Sequence, residues 1–117
     1  MSRTGNTLLF TLVFVLLKLG VDIFQASYYG LGLNWPAVIF GAAAVTLAGA
    51  AGHFTGLAVL GRPLQRRAVP FIAIISFFTS VSLAYLLPSV VTTLPVFLAG
   101  VVAITFVVTV WIGPRWD

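Results

Sequence analysis

The chain has 117 residues, of which 61% are hydrophobic and 7% are charged, and its mean hydropathy is +1.16. A soluble domain carries about 25% charged residues, so this composition excludes a water-soluble globular protein. The length allows one domain, residues 1–117. With no cysteine and a single histidine, His53, we expect no disulfide, no metal centre and no cofactor within one chain.

Four apolar segments predict membrane-spanning helices. A bilayer core about 30 Å thick requires about 20 apolar residues in a helix, and backbone amides in lipid must be satisfied within the segment. The segments that meet or approach this length are 7–29, 36–60, 70–87 and 95–112. The sequence therefore predicts an all-α polytopic membrane protein, a single transmembrane domain of four helices.

Prolines and glycines mark the predicted helix ends. Pro36, Pro70 and Pro95 open helices two, three and four, where their missing N–H groups cost little. The Gly113-Pro114 pair follows helix four and is expected to end it.

The basic residues predict the orientation of the chain in the membrane. Arg3 precedes helix one, and the other arginines follow helix two or helix four. These others are Arg62, Arg66, Arg67 and Arg115. The connections at the opposite end, 30–35 and 88–94, carry no charge. The positive-inside rule therefore predicts a multi-pass protein of the cell membrane with both termini in the cytoplasm.

Two interpretations of Arg62, Arg66, Arg67 and Arg115 stay open. They set the topology alone, or they also bind the phosphate of lipid head groups or of a polyprenyl phosphate, because a guanidinium binds phosphate in a bidentate manner. Membrane lipids are thus expected partners. Nucleic acid is not an expected partner, because three of these arginines lie on a short loop at the membrane face.

Helices two and four begin with similar sequences. Residues 36–46 align without gaps on residues 95–105, and proline, glycine, alanine and threonine are identical at an offset of 59. Either the chain consists of two helical hairpins in the same orientation, a parallel repeat, or two apolar helices resemble each other by chance.

Helix one carries two charged residues inside its apolar segment. Lys18 and Asp22 are four residues apart, share a helix face and can pair. A charge at mid-bilayer costs from about 2.5 to above 10 kcal/mol, depending on the scale, so such residues normally face protein or water. We therefore treat Lys18, Asp22 and Gln25 as candidate transport residues. The alternative is that the pair merely neutralises itself while Lys18 extends toward the interface.

His53 is the fourth polar candidate within the membrane. It lies about 15 Å from the level of Asp22, from a rise of about 1.5 Å per helical residue. Two interpretations stay open: a proton relay from Asp22 through Lys18 to His53, or a hydrogen bond from His53 to a neighbouring helix. A catalytic triad needs hydrogen-bond reach, so we expect no enzyme.

Small residues follow one face of helix two, where they let another helix approach closely. They are Gly41, Ala48, Gly49, Gly52 and Gly56. We expect helix packing here, either within the chain or in an oligomer.

Several short motifs lie at the helix positions that a known family uses. They are Asp22 in Gly20-Val21-Asp22, His53-Phe54 with Arg62, and Trp111 with Arg115-Trp116. In these motifs, and in its four short helices, the chain resembles the GtrA-like family, although His53 replaces an asparagine of the family pattern. The resemblance implies movement of polyprenyl-phosphate-linked sugars across a membrane for cell-surface polysaccharide synthesis, with roles for Asp22, Arg62 and Arg115.

Three functions are therefore hypotheses. The first is a translocator of lipid-linked sugar, working as a homo-oligomer or with a glycosyltransferase because four helices hardly enclose a polar pathway. The second is a proton-coupled exporter of the small multidrug type, which has the same size and an acid in helix one. The third is a non-catalytic subunit or assembly factor of a larger membrane complex, bound through the small residues of helix two.

Overall fold

The fold is a bundle of four helical spans, seen in a computed structural model that describes residues 2–87 and 93–117. The first three spans are α1 (Arg3–Tyr28), α2 (Trp35–Leu60) and α3 (Val69–Leu86). The fourth comprises α4 (Leu94–Val107), a π-helical turn (Val108–Ile112, the π turn) and α5 (Gly113–Trp116). All four are long and apolar enough to cross a membrane. The described ranges contain no strand, which confirms the prediction of an all-helical chain with four potential spans.

Helix α1 begins earlier than the apolar segment predicts. The side chain of Ser2 accepts a hydrogen bond from the backbone N–H of Gly5 at 3.0 Å and so caps the helix. The helix therefore starts at Arg3 rather than at residue 7. It thereby includes Asn6, a polar residue outside the predicted segment, and Asn6 is fully buried.

Helices α2 and α4 begin in the same way. The side chain of Asn34 accepts from the backbone N–H of Ala37, and that of Thr93 accepts from Val96, each at 3.4 Å. A proline follows within the first turn of both helices, where no intrahelical donor is lost. The similar sequences at 36–46 and 95–105 therefore occupy equivalent positions in the two helices. Residues 88–92 of the predicted connection before α4 lie outside the described residues.

Helix four does not end at Gly113-Pro114 as predicted. The chain passes through the π turn and continues as α5 to Trp116. Pro114 lies in the first turn of α5, where a missing N–H is tolerated. A Cβ atom at Gly113 would lie 2.8 Å from Cδ1 of Leu64. Close packing against the loop before α3, and not a helix end, accounts for this glycine.

Each span has two neighbours in the bundle. Helix α1 packs against α2 and α3, and the fourth span packs against the same two helices. The Phe14 ring contacts Phe77, and further along the same helices Gln25 bonds to Tyr85, so α1 and α3 run in the same direction. The glycine contacts of α2, given below, place α2 and the fourth span side by side in the same direction as well.

Buried side chains are confined to one half of the bundle. They fall within residues 6–14, 42–57, 64–80 and 101–113. The ends of the helices that carry the arginines belong to this half, which we call the basic end. The opposite half, the open end, comprises 15–28, 35–41, 81–86 and 94–100 and has no buried residue among them. The described helices are therefore tightly packed at the basic end and separated at the open end.

Candidate functional site: a polar pocket at the open end

A pocket of about 560 Å³ lies at the open end, between α1, the start of α2 and the end of α3. Ligand pockets in proteins typically measure about 300–1,000 Å³, so this volume suits a small molecule or a head group. The polar side chains that line it are Lys18, Asp22, Gln25, Tyr29, Asn34 and Tyr85. The sequence analysis had singled out the first three. Apolar side chains line the rest of the wall, among them Leu31 and Val38.

The ion pair of Lys18 and Asp22 forms one wall of the pocket. Lys18 Nζ lies 2.6 Å from Asp22 Oδ2, and the two side chains retain 21% and 19% of their exposure. The pair is thus half-buried and faces the pocket. A Cβ atom at Gly41 would come 3.9 Å from Lys18 Nζ. Gly41 therefore faces the ammonium group, unlike the other small residues of α2, which face helices.

A second polar contact closes the pocket between α1 and α3. The Nε2 atom of Gln25 donates to Tyr85 Oη at 2.8 Å. Sequence reasoning missed Tyr85, which lies sixty positions away from Gln25. The sequence feature that could have pointed to Tyr85 is an aromatic hydroxyl within the last turn of a predicted helix. Such a position also suits a membrane interface.

His53 belongs to a separate, buried network at the basic end. Its Nε2 atom lies 2.9 Å from Asn6 Oδ1, and its Nδ1 atom lies 2.9 Å from Thr109 Oγ1 in the π turn. The Asn6 amide nitrogen donates to the carbonyl of Leu64 at 2.7 Å, so its oxygen faces the histidine and Nε2 is the donor. Nδ1 of the neutral ring then accepts from the Thr109 hydroxyl.

The two polar centres are not connected through His53. Both of its ring nitrogens are engaged by Asn6 and Thr109, and its ring stacks on Phe10 with centroids 4.5 Å apart. His53 hydrogen-bonds to neighbouring helices, as the second interpretation of the sequence has it. The relay through Lys18 finds no support in these contacts. Asn6 and Thr109 are partners that the sequence analysis missed.

The small residues of α2 pack against helices of the same chain. A Cβ atom at Gly49 would lie 3.2 Å from the Phe14 ring in α1. At Gly52 it would lie 2.5 Å from the carbonyl oxygen of Val102, and at Gly56 it would lie 2.9 Å from Thr109. Ala48 is buried in the same face. The α2 face is therefore filled within the chain by α1 and the fourth span.

At the basic end, Asp117 neutralises one of the predicted phosphate-binding arginines. Its carboxylate accepts from the Arg62 guanidinium and from the backbone N–H of Gln65, the latter at 2.5 Å. Burial raises the pKa of Asp117, but the hydrogen bonds from Arg62 and Gln65 and the charges of Arg62 and Arg67 lower this pKa below its ordinary value. Arg66, Arg67 and Arg115 are exposed. The sequence analysis did not anticipate a role for Asp117.

Comparison of the chain with protein-family models, with curated proteins and with solved structures finds no match. The resemblance to the GtrA-like family therefore stays a prediction, and the function is argued from the two ends of the bundle.

Proposed function

We propose that this chain is a multi-pass membrane protein that translocates a lipid-linked sugar of the polyprenyl-phosphate type. The observation that carries the proposal is the polar pocket at the open end. Sugar hydroxyls both donate and accept hydrogen bonds, and the pocket offers an ammonium, a carboxylate, an amide and a phenol. We assign Lys18, Asp22 and Gln25 to binding of the sugar, with no covalent chemistry.

The composition of the pocket wall suits an amphiphile. The polar side chains lie mainly on α1 and α3, with Asn34 at the start of α2, whereas Leu31 and Val38 continue the wall as apolar surface. A ligand with a polar head and a hydrocarbon chain matches both parts, because each part then stays in contact with groups of its own polarity. This match favours a lipid-linked sugar over a free sugar.

The orientation and assembly belong to the proposal as well. The arginines at the basic end favour a cytoplasmic location of that end and of both termini. We place the chain in the cell membrane and its activity in the synthesis of surface polysaccharide. The equivalent starts of α2 and α4 favour two parallel hairpins as structural repeats. We propose that a second copy or a partner such as a glycosyltransferase completes the pathway, since the pocket is open on one side.

Translocation is measured in phosphatidylcholine vesicles that contain a fluorescent polyprenyl-phosphate sugar, as the fraction of label reached by an impermeant quencher. We expect Asp22→Asn to slow translocation by about tenfold or more, because it removes the charged partner of Lys18 and of the sugar hydroxyls. Gly20→Ala is the matched control on the same helix, since, apart from its chain neighbours and its own helix backbone, no atom of the described residues lies within 4 Å of the added Cβ.

Unchanged translocation in Asp22→Asn, with the control also unchanged, would remove the pocket from the mechanism. A second variant tests the surroundings of the ion pair without changing its charges. Gly41→Ala adds a Cβ in ordinary contact with Lys18 Nζ at 3.9 Å, whereas Gly41→Leu places a bulky side chain against the ammonium group. We expect normal translocation for the first and strongly reduced translocation for the second.

The other two hypotheses gain less from the structure. The exporter hypothesis relied on a lone acid in helix one, whereas Asp22 forms an ion pair with Lys18 at 2.6 Å. A resistance assay with an expressing strain separates this function from sugar translocation. The assembly-factor hypothesis relied on the small residues of α2, and α1 and the fourth span already fill that face.

A further inference from the structure

The basic end contains a second cavity, which holds a carboxylate of the chain itself. The cavity has a volume of about 680 Å³ and is lined by residues 62–66 and by Asp117. Arg62 donates to one carboxylate oxygen of Asp117, and the backbone N–H of Gln65 donates to the other. Both oxygens of one anionic group are thus held by two independent donors.

The charges around this cavity exceed what Asp117 neutralises. Arg66 lines the same cavity, and Arg67 lies close enough to act on the Asp117 charge. Arg62 binds the carboxylate, Arg67 acts on its charge and Arg66 lines the cavity, so the positive charge here exceeds that of the one carboxylate. The Arg62 side chain is 51% exposed, whereas that of Asp117 is only 7% exposed, so an incoming anion reaches the guanidinium from solvent while the carboxylate sits behind it.

The donor geometry suits a phosphate at least as well as a carboxylate. A guanidinium and a backbone N–H are the donors that proteins use for phosphate oxygens. A phosphate monoester offers three terminal oxygens and up to two negative charges, whereas a carboxylate offers two oxygens and one charge. The excess positive charge favours the ion that carries more negative charge.

We propose that Arg62, the Gln65 N–H and Arg66 form a binding site for a phosphate monoester, and that Asp117 occupies this site as an internal ligand until a phosphate displaces it. That this monoester is a polyprenyl phosphate, the lipid carrier without its sugar, rests on the proposed function, because the phosphate of the sugar-loaded carrier is a diester. The binding site and its competition with Asp117 do not depend on it, because they follow from the contacts of the carboxylate.

Displacement of Asp117 has a structural route in the fourth span. Asp117 directly follows α5, whose Trp116 ring lies 5.0 Å from that of Phe71 in α3. Movement of the carboxylate out of the cavity therefore alters the surroundings of the Trp116 ring. Fluorescence of Trp116 in a Trp35→Phe/Trp111→Phe background reports this displacement, and it does so separately from the measurement of affinity.

Binding is measured by calorimetry on the full chain in nanodiscs of phosphatidylcholine, with dioctanoyl phosphatidic acid and inorganic phosphate as separate probes. We expect Asp117→Asn to bind phosphatidic acid about tenfold tighter than the native chain, because the competing charge is removed while the side-chain shape is kept. Arg62→Gln and Arg66→Gln should each weaken binding, the first more strongly. Arg3→Gln, at the same end but outside the cavity, is the control and should bind like the native chain.

Equal affinity of Asp117→Asn and the native chain would overturn the proposal, as would weakening by Arg3→Gln as large as that by Arg62→Gln. Binding of inorganic phosphate as well as phosphatidic acid supports recognition of the phosphate group alone, and binding of phosphatidic acid only supports a lipid ligand. Tighter binding by Asp117→Asn without translocation by the native chain would leave the phosphate site standing and refute the proposed function. Translocation by the native chain, together with an affinity that Asp117→Asn leaves unchanged, would support the proposed function and refute the phosphate site.

Discussion

The Nε2 atom of His53 and the Oδ1 atom of Asn6 lie 2.9 Å apart and join α1 to α2 inside the packed half of the bundle. The same amide donates to Leu64 before α3, and the same ring bonds to Thr109 in the π turn. One hydrogen-bonded chain therefore touches three spans and a loop. Buried networks of this kind favour one arrangement of the helices, because each member left unpaired is costly.

Asn6→Ala and His53→Ala are expected to destabilise the folded chain by about 1–3 kcal/mol each, because each leaves a buried polar partner unsatisfied. The double variant should cost less than the sum of the single variants, since the second substitution removes a group that is already unpaired. Thermal unfolding in detergent measures all three. Thr55→Ala is the control, because Thr55 is exposed and its hydroxyl bonds to the carbonyl of Ala51 in its own helix. Additive losses at Asn6 and His53 would show that the two residues act separately.

Gly52→Ala should weaken the packing of α2 on the fourth span. The new Cβ would lie 2.5 Å from the carbonyl oxygen of Val102, and backbone cannot yield as a flexible side chain does. We expect a loss of about 1–3 kcal/mol. Gly20→Ala adds the same methyl group where no other helix in the described part of the chain comes within 4 Å, so it should be neutral or stabilising by up to about 1 kcal/mol. Similar unfolding temperatures for the two variants would contradict the close approach of these spans.

The spans were predictable from the sequence, and the side-chain contacts were not. Lipid imposes a length and a composition on each helix, so the number of spans followed from hydropathy alone. The start of α1 depended on one hydrogen bond from the backbone N–H of Gly5 to the Ser2 side chain, which hydropathy does not detect. The predicted end of helix four was misplaced because both residue types occur in more than one context. Glycine ends helices but also allows close packing, and proline follows helix ends but also occupies the first turn of a helix.

The division of the bundle into a packed and an open end was also hidden. The four apolar segments have similar compositions, and among their residues the small ones of α2 were the signal for a tightly packed region. Lys18 and Asp22 marked a polar wall correctly by their spacing in one helix. The long-range contacts could not be deduced in the same way. Gln25 and Tyr85, like Arg62 and Asp117, are far apart in the sequence.

The folded chain should be more stable when the charges of both Lys18 and Asp22 are removed than when only one of the two charges is removed. Lys18→Met leaves an unpaired carboxylate in the half-buried pocket wall, at a cost of about 1–3 kcal/mol. Lys18→Met/Asp22→Asn removes the charge as well and should recover most of that loss. The amount of folded protein extracted from membranes and its unfolding temperature measure the effect. A double variant less stable than Lys18→Met would indicate that the pair stabilises the fold through more than charge balance.

The lowered pKa of Asp117 should make the stability of the folded chain depend on pH. Its pKa in the folded chain is lowered from an ordinary value of 3.8, so the unfolded chain binds the proton more tightly. The stabilisation from its contacts with Arg62 and Gln65 is therefore complete well above pH 3.8 and is lost as the pH falls through the lower, folded pKa. We expect the native chain to unfold at a higher temperature than Asp117→Asn at pH 7, with an unchanged difference down to about pH 5 that narrows below that value. Unfolding temperatures of the two chains between pH 3 and pH 7 check this. A difference that shrinks between pH 7 and pH 6, where this carboxylate stays ionised, would assign the effect to another group and would remove Asp117 as the anion held at the basic end.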